Sequence, residues 1–328
     1  MRIMTAIDVY RGQSRCESQP LESQFPTPWG HIMSTPAVSA AAVQTTPFLF
    51  RLGSWLNDRH LRGGHRLVDL ARSFGQLNRV VQYTLPRGTL IDVPLYRSEN
   101  CWSAREVEEY EPELIDAFTN AVRHTSGPVR LIDCGADIGT ISTVLYSRCP
   151  RLAQIVAFEP NPAAYAFSRR NIGRLPIQTQ VLDYAVSDFR GRGRLESPPY
   201  DSSPHAMFLV PDVEGGIPVT TIDALRIKTD GTLLVKIDTE GTEVNVLRGG
   251  QRTIRDAERV VIAFEAHPAV VHRTGIEPCE VLKELREIRP FHARVAEFPT
   301  QGIDSTRPLF DQIRFDAPYG LNVVCTSA

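Results

Sequence analysis

The sequence predicts an α/β fold: a doubly wound, mostly parallel sheet of seven strands, with a small α+β appendage before it. Three observations predict this. From residue 129 onward, short β-rich apolar runs alternate with runs of helical length, the pattern of parallel strands joined by crossover helices. The first of those strands leads straight into a glycine turn and a helix start. The chain has 328 residues, enough for one domain of roughly 200–250 residues and an appendage.

Strands are expected at 129–134 (VRLIDC), 154–159 (QIVAFE), 178–183 (QTQVLD), 232–238 (TLLVKID) and 259–265 (RVVIAFE). Helices fit near 139–148, 162–173, 242–256 and 278–287. Two late β-like runs, 292–298 and 321–327, are placed to close the sheet as an antiparallel edge. Three domains follow: a disordered leader over 1–45, an acceptor-shaping appendage over 46–128, and the main domain over 129–328. The leader mixes Ser, Pro, Gln and Thr without periodicity, and Met33 within it offers a second start. In the appendage, Leu67, Leu70, Phe74 and Leu77 give 63–82 helical spacing. Residues 81–96 read as a hairpin about Pro86-Arg87-Gly88, and 104–124 as one helix.

Bulk properties exclude several classes. Thirty-six basic against 38 acidic residues leave a net charge of −2, no general attraction for nucleic acid or anionic lipid. Six dispersed cysteines lack any C-x-x-C, so free thiols in a reducing compartment are expected. No run reaches the roughly 18 apolar residues of a membrane helix, and the first residues lack a signal-peptide layout. A cytoplasmic protein without a membrane span is the default reading.

"LIDCGADIGTIS" (131–142) places Asp133 at a strand tip, then Gly135, Ala136, Asp137 and Gly139 in the turn. Glycine lets backbone approach a ligand, and the helix start leaves N–H groups open. "VAFEPNP" (156–162) puts Glu159, Pro160 and Asn161 at the next strand end, where an acid can accept both hydroxyls of a ribose. A dinucleotide fold needs G-x-G-x-x-G, and carboxylates at Asp133 and Asp137 would repel a pyrophosphate. They suit a ligand with ammonium and sulfonium charges, such as S-adenosyl-L-methionine. At the third strand tip, Asp183 can accept from an adenine amino group with Tyr184 or Ala185 lining the ring; a solvated turn is the competing reading.

"IDCGADIG", "FEPNP", "AVSD", "VTTIDAL" and "LLVKIDTEGTEVNVLRGG", in this order, resemble the FkbM-type methyltransferase family over about residues 105–268. The resemblance implies the class I, Rossmann-like S-adenosylmethionine-dependent fold. It also implies methyl transfer to a hydroxyl of a sugar, glycolipid or secondary metabolite. It assigns Asp133, Gly135, Gly139 and Glu159 to the cofactor; Asp137 departs from the family's usual Asn.

The charges after Val235 fall at the fourth strand end, beside the expected methyl group. A hydroxyl acceptor needs a base, and Asp238 and Glu240 lead, with Lys236 pairing one of them or holding substrate. Glu243 serves the helix N-terminus. At the fifth strand end Glu265 and His267 share a face by period two, and His267 is the second candidate base. Tyr110 and Glu111 are placed to reach the cofactor from the preceding helix. No histidine shows metal-ligand spacing, so no metal site is assigned, although Asp238 could join carboxylates holding magnesium or calcium. "SPPYDSS" (197–203) lies after the third strand and lacks the Asn of amine-methylating enzymes; "RGRGR" (190–194) reads as a hairpin turn. A nucleic-acid methyltransferase, a nicotinamide-dependent oxidoreductase and a non-catalytic cofactor-binding module are the rival readings.

Overall fold

The computed structural model describes residues 43–97, 102–198, 207–304, 306–313 and 320–327. The expected leader up to residue 42, with Met33, and residues 199–203 of the proline loop lie outside the described residues. Among the described residues no helix is long and apolar enough to cross a membrane.

Helices α1 (Phe48–Asp58) and α2 (Gly64–Ser73) begin the described chain. The helix read over 63–82 thus stops at Ser73, and its buried side is Gly64, Val68 and Ala71, leaving Leu70 and Phe74 exposed. Gly75 follows in a left-handed conformation, a common helix stop that the leucine spacing overran. The hairpin is as expected: β1 (Val80–Leu85) pairs antiparallel with β2 (Thr89–Pro94) around Pro86–Gly88. The single helix over 104–124 is two, α3 (Ala104–Glu108) and α4 (Pro112–Val122). Proline disfavours helical backbone in the residue before it, and Glu111 takes φ 43° instead.

From here the alternation holds. Strand β3 (Val129–Cys134) leads through α5 (Thr140–Arg148) to β4 (Leu152–Phe158), α6 (Pro162–Gly173) and β5 (Gln178–Leu182). A second sheet follows, of β6 (Ala185–Val186), β7 (Gly191–Glu196), β8 (Phe208–Pro211) and β9 (Ile217–Thr220), in the order β6-β9-β7-β8. It is absent from the sequence reading. The supposed turn at 190–194 is mostly β7, where Gly193 and Leu195 alternate with Arg192 and Arg194.

The main sheet resumes with β10 (Thr232–Ile237), then α7 (Glu243–Gly249) and α8 (Gln251–Asp256), one expected helix divided at Gly250. Strand β11 (Arg259–Ala266), α9 (Pro268–Thr274), α10 (Pro278–Ile288), β12 (Phe291–Val295) and β13 (Leu321–Ser327) complete it. The seven-stranded order is β12-β13-β11-β10-β3-β4-β5, with β13 antiparallel to both neighbours and the inner strands parallel.

Neighbouring residues on the inner strands feed two separate cores, as period-two alternation requires. Leu131, Ile155, Leu234 and Val261 pack with Leu114 and Phe118 of α4, Leu145 of α5 and Ile91 of the hairpin. Ile132, Val156, Val235 and Ile262 pack with Leu247 of α7, Ile254 of α8 and Leu285 of α10. The hairpin is tied to α6 by Asp92, fully buried, which pairs with Arg170 at 2.7 Å and Arg174 at 2.8 Å.

Candidate active site

The chain builds outward from β3 in one direction through β4 and β5, and in the other through β10 and β11. The carboxyl ends of β3 and β10 therefore flank a topological switch point, where open α/β sheets bind ligands. A cavity of about 280 Å³ opens there. Its wall comes from strand tips (Gly135, Glu159, Asp238, Glu265), the α3–α4 break (Tyr110, Glu111) and the second sheet (Leu195, Leu209).

The glycine turn is fixed by close backbone approach. Gly135 has φ +82°, and a Cβ there would stand 1.9 Å from the carbonyl oxygen of Asp238. The N–H groups of Gly135 and Ala136 donate to the Phe158 carbonyl at 3.0 and 2.9 Å, joining the β3 and β4 tips. Asp137 is left-handed at φ 44°, a conformation that Asn and Asp tolerate better than most residues. Its N–H donates to Glu159 Oε2 at 2.7 Å, and that of Asn161 donates to Oε1 at 2.8 Å. Two backbone donors thus orient Glu159. Burial, with Asp137 nearby, pushes its carboxyl up to about 7.

The β10 tip holds a second set. Lys236 is buried, and Nζ donates to the Gly135 carbonyl at 2.7 Å and to Asp238 Oδ2 at 2.9 Å. Burial opposes its charge, yet Asp238, Asp133 and Glu111 outweigh that and hold its pKa well above the usual lysine value. Glu240 has φ 56° and precedes Gly241 at φ 102°. Glu243 staples this loop: its Oε1 accepts from the N–H of Gly241 at 2.9 Å and of Thr239 at 3.3 Å. Arg273 of α9 donates to the Glu240 carbonyl and lies 3.5 Å from Glu240 Oε2. Burial and Asp238 push the Glu240 carboxyl up to about 7 despite Arg273. Burial and Asp238 do the same for Glu111, also to about 7, and raise Glu265 well above the ordinary glutamate range.

Of the residues singled out in the sequence, Gly135, Asp137, Glu159, Pro160, Asn161, Tyr184, Ala185, Asp238 and Glu240 line this cavity. Others do not. Asp133 is fully buried beneath the turn, its Oδ2 accepting from Ser142 Oγ at 2.6 Å and its Oδ1 3.8 Å from Lys236 Nζ. Ala136 belongs to the core, and Gly139, at φ +85°, caps α5 against Ile172. Lys236 is a buried counter-ion with both neighbours engaged, so substrate-holding is not its place. Asp183 lies outside the wall, beyond the end of β5. His267 begins α9: its Nδ1 accepts from the Ala269 N–H at 3.0 Å, which turns the ring toward the helix start. Glu265, noted only as its companion, is the member of that pair on the wall.

Asp133 is offset by Lys236, and Asp137 pairs with Arg97 at 2.6 Å, so neither aspartate is the bare charge the sequence implied. The cavity wall itself carries the carboxyls of Glu111, Glu159, Asp238, Glu240 and Glu265, of which Asp238 shares Lys236 with Asp133. Oxygens of Asp238, Glu240 and Glu265 lie within 4.8 Å of one another, a hard-oxygen arrangement able to hold a divalent ion. The apolar wall from Val186, Leu195, Met207 and Leu209 escaped the sequence reading, although the alternation in "GRGRLE" carried its signal.

Fold and site together define an α/β domain with an acidic cavity at its topological switch point. Residues 133–291 match the model of the methyltransferase FkbM domain. The hexuronic acid methyltransferase AglP of Haloferax volcanii is 29% identical over 164 residues, 48% of this chain and 62% of that protein. The chain thus spans less than two thirds of that relative's length. Among solved structures, the methyltransferase FkbM from Methylobacillus flagellatus is similar at 14% identity and TM-score 0.40, over 60% of this chain and 43% of that one. A SAM-dependent methyltransferase from Agrobacterium tumefaciens is similar at 12% identity and TM-score 0.40, over 75% and 69%.

Proposed function

We propose that the protein is an S-adenosylmethionine-dependent O-methyltransferase acting on a hydroxyl of a sugar-type small molecule. The observation that carries this is the Glu159 carboxylate. Two backbone N–H groups fix it at the β4 tip, on the wall of a cavity ringed by further carboxylates. A carboxylate has about four acceptor directions, so two remain for the hydroxyls of a ribose. The surrounding acids favour a cationic methyl donor and oppose a diphosphate: like unit charges 4 Å apart cost about 4 kcal/mol at an effective dielectric of 20. Tyr184 and Ala185 give the adenine a wall beside β6. The FkbM domain and the hexuronic acid methyltransferase relative support a sugar acceptor.

In the reaction, the donor's sulfonium supplies a methyl group, which leaves sulfur for the acceptor oxygen while the hydroxyl proton passes to a base. Glu240 is the base. It lines the cavity, and a carboxyl held at about 7 accepts a proton readily at neutral pH. Glu265, whose carboxyl burial and Asp238 raise well above the ordinary glutamate range, lines the same cavity beside it. Asp238 is held in place at the cavity floor by Lys236.

Calorimetry with S-adenosylmethionine and with NAD tests the donor; NAD binding with no S-adenosylmethionine binding defeats this reading. A panel of sugars and uronic acids tests the acceptor. Glu240→Gln should lower turnover by about 10²–10⁴-fold with the donor still binding, at an affinity reduced only by the lost charge. Full turnover in that variant would place the base elsewhere.

A further inference from the structure

The described N-terminal helices expose more apolar surface than packing explains. Phe48, Leu52 and Trp55 fall at i, i+4 and i+7 on α1, one stripe on the side opposite its buried Phe50, Gly53 and Ser54. Leu70 and Phe74 continue the exposure along α2 and its end, and Leu61 sits in the link between. Phe48 is 73% exposed, Phe74 67% and Trp55 46%. Single exposed apolar residues are ordinary, but six within 27 positions, three of them aromatic, mark an interaction surface.

The charge of the same segment says what kind. Residues 43–79 carry six arginines (Arg51, Arg59, Arg62, Arg66, Arg72, Arg79) against Asp58 and Asp69, a net of +4 in a chain whose total is −2. The remainder is therefore −6. The arginines are interleaved with the apolar residues, and the Arg59 guanidinium lies 4.4 Å from the centre of the Trp55 ring. Aromatic and aliphatic side chains on one side of a short helix, with arginine around them, are the chemistry of a helix lying in a bilayer interface. Anionic headgroups complement the +4. Residues 1–42 do not: Arg2, Arg11 and Arg15 are matched by Asp8, Glu17 and Glu22, a net charge of zero.

We propose that the α1–α2 face docks this protein on an anionic lipid bilayer, with Phe48, Trp55 and Phe74 entering the interface and the arginines meeting headgroup phosphates. The inference is independent of methyl transfer and stands or falls separately from it.

The test is co-sedimentation of the full chain with vesicles of phosphatidylcholine alone and of phosphatidylcholine with phosphatidylglycerol. Binding to the anionic vesicles, weakened by added salt, is expected, with little binding to the neutral ones. Phe48→Ser with Phe74→Ser should cut anionic-vesicle partitioning at least about tenfold, from the lost apolar burial alone. Its melting temperature should not fall, since both side chains are exposed. Arg62→Glu with Arg66→Glu, which leaves every apolar anchor in place, should weaken binding to anionic vesicles only. No binding by the unaltered chain, equal binding to both vesicles, or full binding by the Phe48/Phe74 variant would each overturn the proposal. So would a dimer in vesicle-free buffer that the Phe48/Phe74 variant dissociates, which would assign the face to a second copy of the chain.

Discussion

Replacing Glu159 by alanine is expected to weaken S-adenosylmethionine binding by about 3 kcal/mol. The side chain accepts from the N–H groups of Asp137 at 2.7 Å and Asn161 at 2.8 Å, which leaves two acceptor directions for a ribose. A hydrogen bond to a charged group contributes about 1.5–3 kcal/mol, so two at the lower bound give about 3 kcal/mol, roughly a 150-fold loss. Alanine also leaves the Asp137 and Asn161 donors without their partner, and any shift of the turn acts in the same direction. Glu159→Gln separates the two effects, because its amide oxygen satisfies one N–H while its amide nitrogen faces the other. Calorimetric titration of each variant, with melting temperature as the folding control, measures the loss. An alanine variant that folds normally and binds the donor within about threefold of the unaltered protein refutes the ribose assignment.

Glu111, Glu159 and Glu240 each have a carboxyl raised to about 7 from 4.5, so the folded state holds extra protons between those values. Stability should therefore be greatest at the acid end of that window and fall as pH rises from about 5 to 7.5, read as melting temperature. A cationic donor favours the ionised acids, so its binding should release protons at pH 7 and tighten toward pH 8. Titrations in buffers of different ionisation enthalpy detect this, and proton uptake would contradict it. Gly135→Ala should destabilise by about 3 kcal/mol or prevent folding, because its Cβ would overlap the Asp238 carbonyl at 1.9 Å and its φ is +82°. A denaturant midpoint equal to that of the unaltered chain would show that the strand tips are loosely joined. Asp92→Ala should cost about 3 kcal/mol by leaving Arg170 and Arg174 without their shared buried partner. The same measurement checks it.

The parallel core was legible because its signals are local. Each inner strand is a short apolar run, each crossover has a helical period, and the glycine turn announces itself by composition. The breaks have local signals too: Pro112 ends any helix through Glu111, and Gly249-Gly250 divides the helix after β10. The second sheet was harder. Its strands are short, and β7 keeps its arginines on the solvent side, where Arg194 meets Glu196 and Asp212. Charge density there imitates a turn unless the period-two alternation is followed. Site chemistry was legible only as far as residue type reaches. Sequence places Asp137 in the turn, but nothing in 131–142 reveals that Arg97, 40 positions earlier, neutralises it. It pairs Glu265 with His267 by period two, but not that the strand ends at Ala266 and hands His267 to a helix cap.

The acids at the switch point divide by how they are held. Asp133, Asp137 and Asp238 each have a cation within 4 Å, and their work is architectural: they join the tips of β3 and β10 and the appendage through Lys236 and Arg97. Glu240 likewise has Arg273 at 3.5 Å, but two of the glutamates are set apart by their backbone. Glu111 and Glu240 are both in the left-handed region, at φ 43° and 56°, where a residue with a side chain carries about 1–3 kcal/mol of strain that glycine would avoid. Both line the cavity, and burial raises both carboxyls to about 7. Glu240 is held in this conformation by Arg273 on its carbonyl and by the Glu243 staple on the next N–H. A fold selected for stability alone would set glycine at these two turns and no carboxylate in the cavity. Two strained, desolvated acids from separate elements meet in one cavity, which supports the proton transfer proposed for Glu240.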